Sequence, residues 1–133
     1  MLINTNALFV YSKSIPRTPG RGISLYREVS GMNLSSVALQ VLPKTADDKV
    51  FGIVDKVIEF IASTGVNYVV GPFETTMEGD FETLMEIIRR SQLICIENGA
   101  ESVMSYVKIA YKPTGGGTAS IEEKIGKFDK RVR

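Results

Sequence analysis

Thr75, Thr76, Glu78 and Gly79 close the stretch NYVVGPFETTMEGD, Asn67 to Asp80, and they are the residues of this chain best suited to hold a small polar ligand. The two threonine hydroxyls both donate and accept hydrogen bonds, and a carboxylate at Glu78 can pair with an amidine-like or protonated heterocyclic edge. The plainer account of the same residues is a β-branched strand running into a helix, with threonine favouring the sheet and Glu78 favouring the nearby helix N-terminus. Composition alone favours the plainer account.

Other chemistry is narrowed by what the chain contains. Histidine is absent from all 133 residues, so Ser-His-Asp and Cys-His catalysis, histidine-ligated zinc and imidazole base chemistry are closed to a single chain. Cys95 is the single cysteine, which excludes an internal disulfide and fits a reducing compartment, the cytoplasm by default. It falls on an apolar helical stripe and reads as a buried small hydrophobe. The run TGGGT lacks the Lys-Ser/Thr of a P-loop and reads as a flexible turn. Arg89-Arg90 could meet a phosphate but reads as a solvated helix face, and Asp47-Asp48 and Glu122-Glu123 fall at helix starts rather than forming an acid-base couple. No metal or cofactor is called for.

With 16 basic and 15 acidic residues, 44% hydrophobic and 23% charged, the composition suits one modest globular domain and argues for neither a nucleic-acid nor a membrane partner. Apolar runs such as VFGIVDKVIEFIA are broken well short of the roughly 20 residues that span a bilayer.

The elements that must position the candidate residues follow from periodicity. In LSSVALQVL, Val37, Leu39 and Val41 alternate with Ser36, Ala38 and Gln40, a half-buried first strand that Pro43 should end. Thr45 or Asp47 can cap a helix with apolar positions Val50, Val54, Val57, Ile58 and Ile61, stopped by Gly65. VNYVV, a Gly71-Pro72 bend and FETTM read as a hairpin. Asp80 can cap a second helix with Phe81, Leu84, Ile88 and Cys95 on its stripe, ended by Asn98-Gly99. SVMSYVKIAY alternates as a fourth strand, and Ser120 with Glu123 forms a capping box for a short C-terminal helix to about Phe128, with Lys130, Arg131 and Arg133 suiting its C-terminal dipole. The β-α-β-β-α-β order predicts a ferredoxin-like α+β sandwich, an antiparallel four-stranded sheet with both helices on one face.

Residues 1–31 differ in kind, with Lys13, Arg17, Arg21 and Arg27 against Glu28 alone and the breakers of IPRTPGRG. They read as a mobile or separately packed extension, with residues 32–133 as the domain and Met32 as an alternative natural start. A transit peptide is the lesser reading, because a clear amphipathic stripe is lacking.

By parity, Ser36, Ala38, Gln40, Glu74, Thr76, Glu78, Tyr106 and Lys108 share the face that the helices leave open, and Phe73, Thr75 and Met77 turn inward. That mixed face implies cover by another subunit or a ligand.

From Leu34 to Phe128 the chain resembles the thiamine-binding protein family, small ferredoxin-like proteins long grouped as UPF0045. The landmarks are VALQVLP, GVNYVVGPFETTMEGD and NGAESVMSYVKI, with Thr-Thr-x-Glu-Gly the most specific. The resemblance implies a non-catalytic binding protein for thiamine or its hydroxymethylpyrimidine part, a carrier, buffer or sensor that assembles as a homodimer or homotetramer through its sheets. It places Thr75, Thr76, Glu78 and Gly79 on the family motif, with Glu78 reading the polar edge of the aminopyrimidine and Gln40 and Ser36 added from strand neighbourhood. Where many relatives have a histidine in the second helix, this chain has Ser91 and Gln92. The alternative is a structural or interaction module whose open sheet face serves self-assembly alone.

Overall fold

The computed structural model describes residues 34–128, so the readings made for residues 1–31 and for Lys130, Arg131 and Arg133 lie outside the described residues. The elements run β1 (Leu34–Lys44), α1 (Asp47–Ser63), β2 (Asn67–Val70), β3 (Thr75–Asp80), α2 (Phe81–Glu97), β4 (Ser102–Ala110) and α3 (Ile121–Ile125). The strands form one antiparallel sheet in the order β2-β3-β1-β4, which with the element order is the ferredoxin-like sandwich.

Local chemistry explains most boundaries. Asp80 accepts a hydrogen bond from the Thr83 amide at 3.2 Å and caps α2. Gly65 and Gly99 follow the two long helices with φ of 83° and 100°, the left-handed conformation that glycine adopts without strain. Ser120 and Glu123 form the reciprocal capping box of α3. Helix α1 differs from expectation. Its N-cap is Ala46, with no side-chain cap, and Asp47 and Asp48 sit in the first turn, where they oppose the positive end of the helix dipole. Helix α3 is also shorter than expected, ending at Ile125 with a turn through Phe128.

Strand β1 continues through Pro43, which lies opposite Val103 of β4. Its pairing with β3 stops at Leu39, so Pro43 lies where one side of the strand has no neighbour and a missing N–H is tolerated. The hairpin turn takes more residues than expected, so β3 begins at Thr75. Phe73 lies in the turn and points to solvent, 79% exposed, rather than inward.

The core lies between the helices and one sheet face. Val37, Leu39 and Val41 of β1 and Met77 of β3 meet Ile53, Val57 and Ile61 of α1 and Leu84, Ile87 and Cys95 of α2. Arg90 corrects the expectation of a solvated arginine pair, being buried and held in a bidentate ion pair with Glu97 at 2.8 and 3.0 Å. Arg89 stays on the surface against Glu86. Strand β4 is less covered than its alternation implied, with Val107 and Ile109 exposed on the helix side and Met104 and Tyr106 on the other.

Leu84 is fully buried, so Leu84→Ala should cost about 2–5 kcal/mol in transfer and cavity terms. Urea titration of the two proteins checks this, and a change within a few tenths of a kcal/mol would contradict the packing.

Candidate functional site

In an antiparallel ladder, directly opposed residues point to the same side, so register assigns each candidate to a face. Ser36 opposes Glu78 and Ala110, Ala38 opposes Thr76 and Lys108, and Gln40 opposes Tyr106. Ser36, Gln40, Thr76 and Glu78 therefore share the face away from the helices, as parity implied. Thr75 opposes Leu39 and Val70, and its side chain belongs to the helix side. Gly79 is buried within β3 opposite Ser35. The Thr-Thr-x-Glu-Gly run is thus divided between two faces and does not converge on one point.

Glu78 is buried and both its oxygens are engaged by protein donors. Asn67 Nδ2 donates to one at 2.5 Å, and the backbone N–H of Ile121 donates to the other at 2.6 Å. The expected interaction with a helix N-terminus is real, but the helix is α3, 43 residues on, rather than the adjacent α2. The Thr118 amide and hydroxyl both donate to the Leu34 carbonyl, at 2.8 and 3.1 Å, and Ile121 is buried. Gly117 allows this approach, since a Cβ there would lie 2.5 Å from the Leu34 nitrogen. The C-terminal segment so covers the Ser36–Glu78 corner of the open face. Glu123 is held below the ordinary carboxylate range, chiefly by the hydrogen bond from the Ser120 N–H. Because that pKa is depressed on folding, its capping contribution is complete above the unfolded value and is lost as pH falls through the folded one.

A concave site lies at the other end of β3. Between α1, the free edge of β1 and the hairpin turn is a cleft of about 200 Å³. Leu39 and Val41 of β1 and Val54, Val57 and Ile61 of α1 line it with hydrocarbon, and Thr75 adds a hydroxyl that has no hydrogen-bond partner among the described residues. Gln40 and Leu42 also line it. Their side chains belong by register to the opposite face and their peptide groups are directed to β4, so the free edge beside them is that of Val41, whose N–H and C=O point to the side where β3 has ended. Glu74 is the one carboxylate in the lining and is paired with Lys108 at 2.9 Å. An apolar cleft with a few convergent polar groups is the usual form of a small-molecule site.

Sequence reasoning reached Thr75 and Gln40 but missed the cleft, Phe51 and Phe73. The signal for Phe51 was available: three and seven residues before Val54 and Ile58, it continues the apolar stripe of α1 at its margin and widens it beyond what one packed face needs. Ser91 and Gln92, at the position where a histidine was noted in relatives, make structural bonds. Ser91 donates to the Ile87 carbonyl at 2.7 Å, and Gln92 accepts from the Ser105 hydroxyl of β4 at 2.6 Å. Burial pushes the Cys95 thiol up, which fits an inert core residue. Among the described residues there is no cluster of acidic or cysteine side chains able to hold a metal, and no helix long and apolar enough to cross a membrane.

Comparison with known proteins gives a consistent answer. Residues 37–129 match the family model described as thiamine-binding protein. The chain is 52% identical over 97 residues to UPF0045 protein CPE1503 of Clostridium perfringens, covering 73% of this chain and 99% of that protein. Two solved structures are each 35% identical to it. One is a domain of unknown function, DUF77, from Bacillus cereus, with a TM-score of 0.67 and coverage of 76% of this chain and 96% of that one. The other is TM0486 of Thermotoga maritima, described as a candidate thiamine biosynthesis or salvage protein, with a TM-score of 0.64 and coverage of 71% and 98%.

Replacing Glu78 by Gln should weaken docking of the C-terminal segment by about 1.5–3 kcal/mol, the worth of a hydrogen bond to a charged group. Amide exchange at Ile121 checks this, with faster exchange expected there and little change in α2. Unaltered protection at Ile121 would remove the anchoring role.

Proposed function

The chain belongs to the thiamine-binding protein family, and on that premise we propose that it is a non-catalytic binding protein for thiamine or its hydroxymethylpyrimidine part, acting as carrier, buffer or sensor. The observation that carries this reading is the cleft, an apolar slot with the free Thr75 hydroxyl and an unpaired strand edge at its side. An aminopyrimidine presents flat apolar faces and a donor-acceptor edge. The lining offers the complement, hydrocarbon for the faces and a hydroxyl with peptide N–H and C=O groups for the edge. Within this proposal Thr75 is the contacting member of the six residues singled out from sequence, and Gln40 flanks the free edge at Val41. Ser36, Thr76, Glu78 and Gly79 act through β3, fixing the strand that carries Thr75 and, at Glu78, the segment packed against its far end.

Self-association is a second part of the proposal, favoured by one observation. Strand β4 is a nine-residue edge with apolar side chains exposed on both faces, Met104 and Tyr106 on one and Val107 and Ile109 on the other. A long edge of this kind is a template for pairing with a second chain.

Calorimetric titration with thiamine, and separately with hydroxymethylpyrimidine, should give saturable heat and unchanged ligand on recovery. Thr75→Val should weaken binding by about 0.5–1.5 kcal/mol. Absence of heat with both compounds would end the binding reading, and conversion of the ligand would end the non-catalytic one. For assembly, Tyr106→Arg should lower the sedimenting mass, whereas an unchanged profile would count against β4 as the interface.

A further inference from the structure

We propose that Phe51 and Phe73 form an aromatic clamp that selects the ligand of the cleft as a flat heteroaromatic ring, uncharged or cationic, held between α1 and the hairpin turn. This rests on the binding function proposed above and adds what determines specificity.

Both side chains line the cleft, and each is 79% exposed, more than any other large apolar side chain among the described residues. A lining residue so exposed stands at the rim. Single exposed apolar residues need no explanation, but two phenylalanines from separate elements at the rim of one concave apolar site form a patch of the kind that marks binding. Neither makes a ring contact with another described residue, whereas Phe81 has Tyr111 with centroids 4.6 Å apart.

The backbone that carries both rings is fixed. Phe51 lies in the second turn of a 17-residue helix. Phe73 is carried by a turn closed by the Gly71 N–H donating to the Glu74 carbonyl at 2.9 Å, with φ fixed at Pro72. A Cβ at Gly71 would itself meet the Glu74 oxygen at 2.9 Å, so the turn is tight. The ordering that binding requires is then confined to the two side chains and does not extend to the main chain.

Size and charge narrow the occupant. At about 200 Å³ the cleft is smaller than the roughly 300–1,000 Å³ of sites that enclose a whole drug-sized ligand, so it suits one ring with the remainder passing out between the phenylalanines. No lysine or arginine lines it, and its one carboxylate, Glu74, is paired. The cleft therefore recognises the ring and leaves any anionic tail in solvent. The faces of the two phenylalanine rings carry the negative side of their quadrupoles and favour an electron-poor or cationic heterocycle.

The test uses the full chain with Phe51→Leu, Phe73→Leu, the double variant and the matching Phe→Tyr variants. Each is titrated with thiamine and with hydroxymethylpyrimidine, and each is sedimented. Leucine keeps much of the apolar area but removes the aromatic face. Each leucine variant should bind both compounds about two- to tenfold more weakly, with tyrosine restoring affinity and the melting temperature little changed. Wild-type binding that the leucine variants retain in full would overturn the clamp and leave the binding function standing. A loss of affinity that tracks a fall in sedimenting mass would also overturn it, assigning the two rings to an interface between copies. If the wild-type protein binds neither compound, the binding function and the clamp fall together.

Discussion

The unequal pairing of β1 is the constraint on which the rest of the structure depends. β1 is matched by β4 from Ser36 to Lys44, but β3 accompanies it only to Leu39, because the hairpin turn between Gly71 and Glu74 closes there. Sheets normally satisfy their backbone groups by continuing the ladder. Here the ladder stops early on one side, and the room left beside Gln40 to Leu42 becomes the floor of a cleft roofed by α1. Thr75 owes its position to the same event, since it is the residue at which pairing ends. A β3 longer by two residues would fill the cleft with main chain.

Alternation along β3 then divides its polar residues into two tasks. Thr75 faces the helix side at the cleft, whereas Thr76 and Glu78 face the open side. Glu78 ties together segments remote in sequence, accepting from Asn67 at the start of β2 and from Ile121 at the start of α3. Buried carboxylates are tolerated when their oxygens are satisfied, and both are satisfied here by the protein itself. The cleft and the docked C-terminal segment stand at opposite ends of a six-residue strand.

The fold was legible because its signals are local. Alternation in β1, the Asp80 cap, the capping box at Ser120 and the glycines after both long helices are each read from a few neighbouring residues, and each is present, whereas the helix stripes are met in part, since Ile53 and Ile87 enter the core while Val50, Val54, Phe81 and Ile88 are half-buried. The differences arose where tertiary contacts decide. Pro43 stays in β1 because of which neighbour is missing, and Arg90 is buried because Glu97 lies two turns along to receive it. Parity correctly placed Thr75 inward, yet the sequence does not say that the interior at that point is a cleft rather than packed core. Whether a carboxylate such as Glu78 is available or occupied depends on a backbone N–H 43 residues away, which no spacing rule reaches.

One charge pair links the cleft to the exposed strand and limits what electrostatics does there. Glu74 lines the cleft, and Lys108 of β4 donates to it across the open face at 2.9 Å. The lysine side chain is 74% exposed, so solvent and salt screen the pair and its worth is at most about 1 kcal/mol. Such a pair is too weak to couple the cleft strongly to β4. It does offset the one negative charge in the lining, which leaves the cleft with little net field. What the cleft offers a ligand is shape, apolar faces and a few hydrogen-bonding groups, and those are properties of the pairing of β1 and of the turn that ends it.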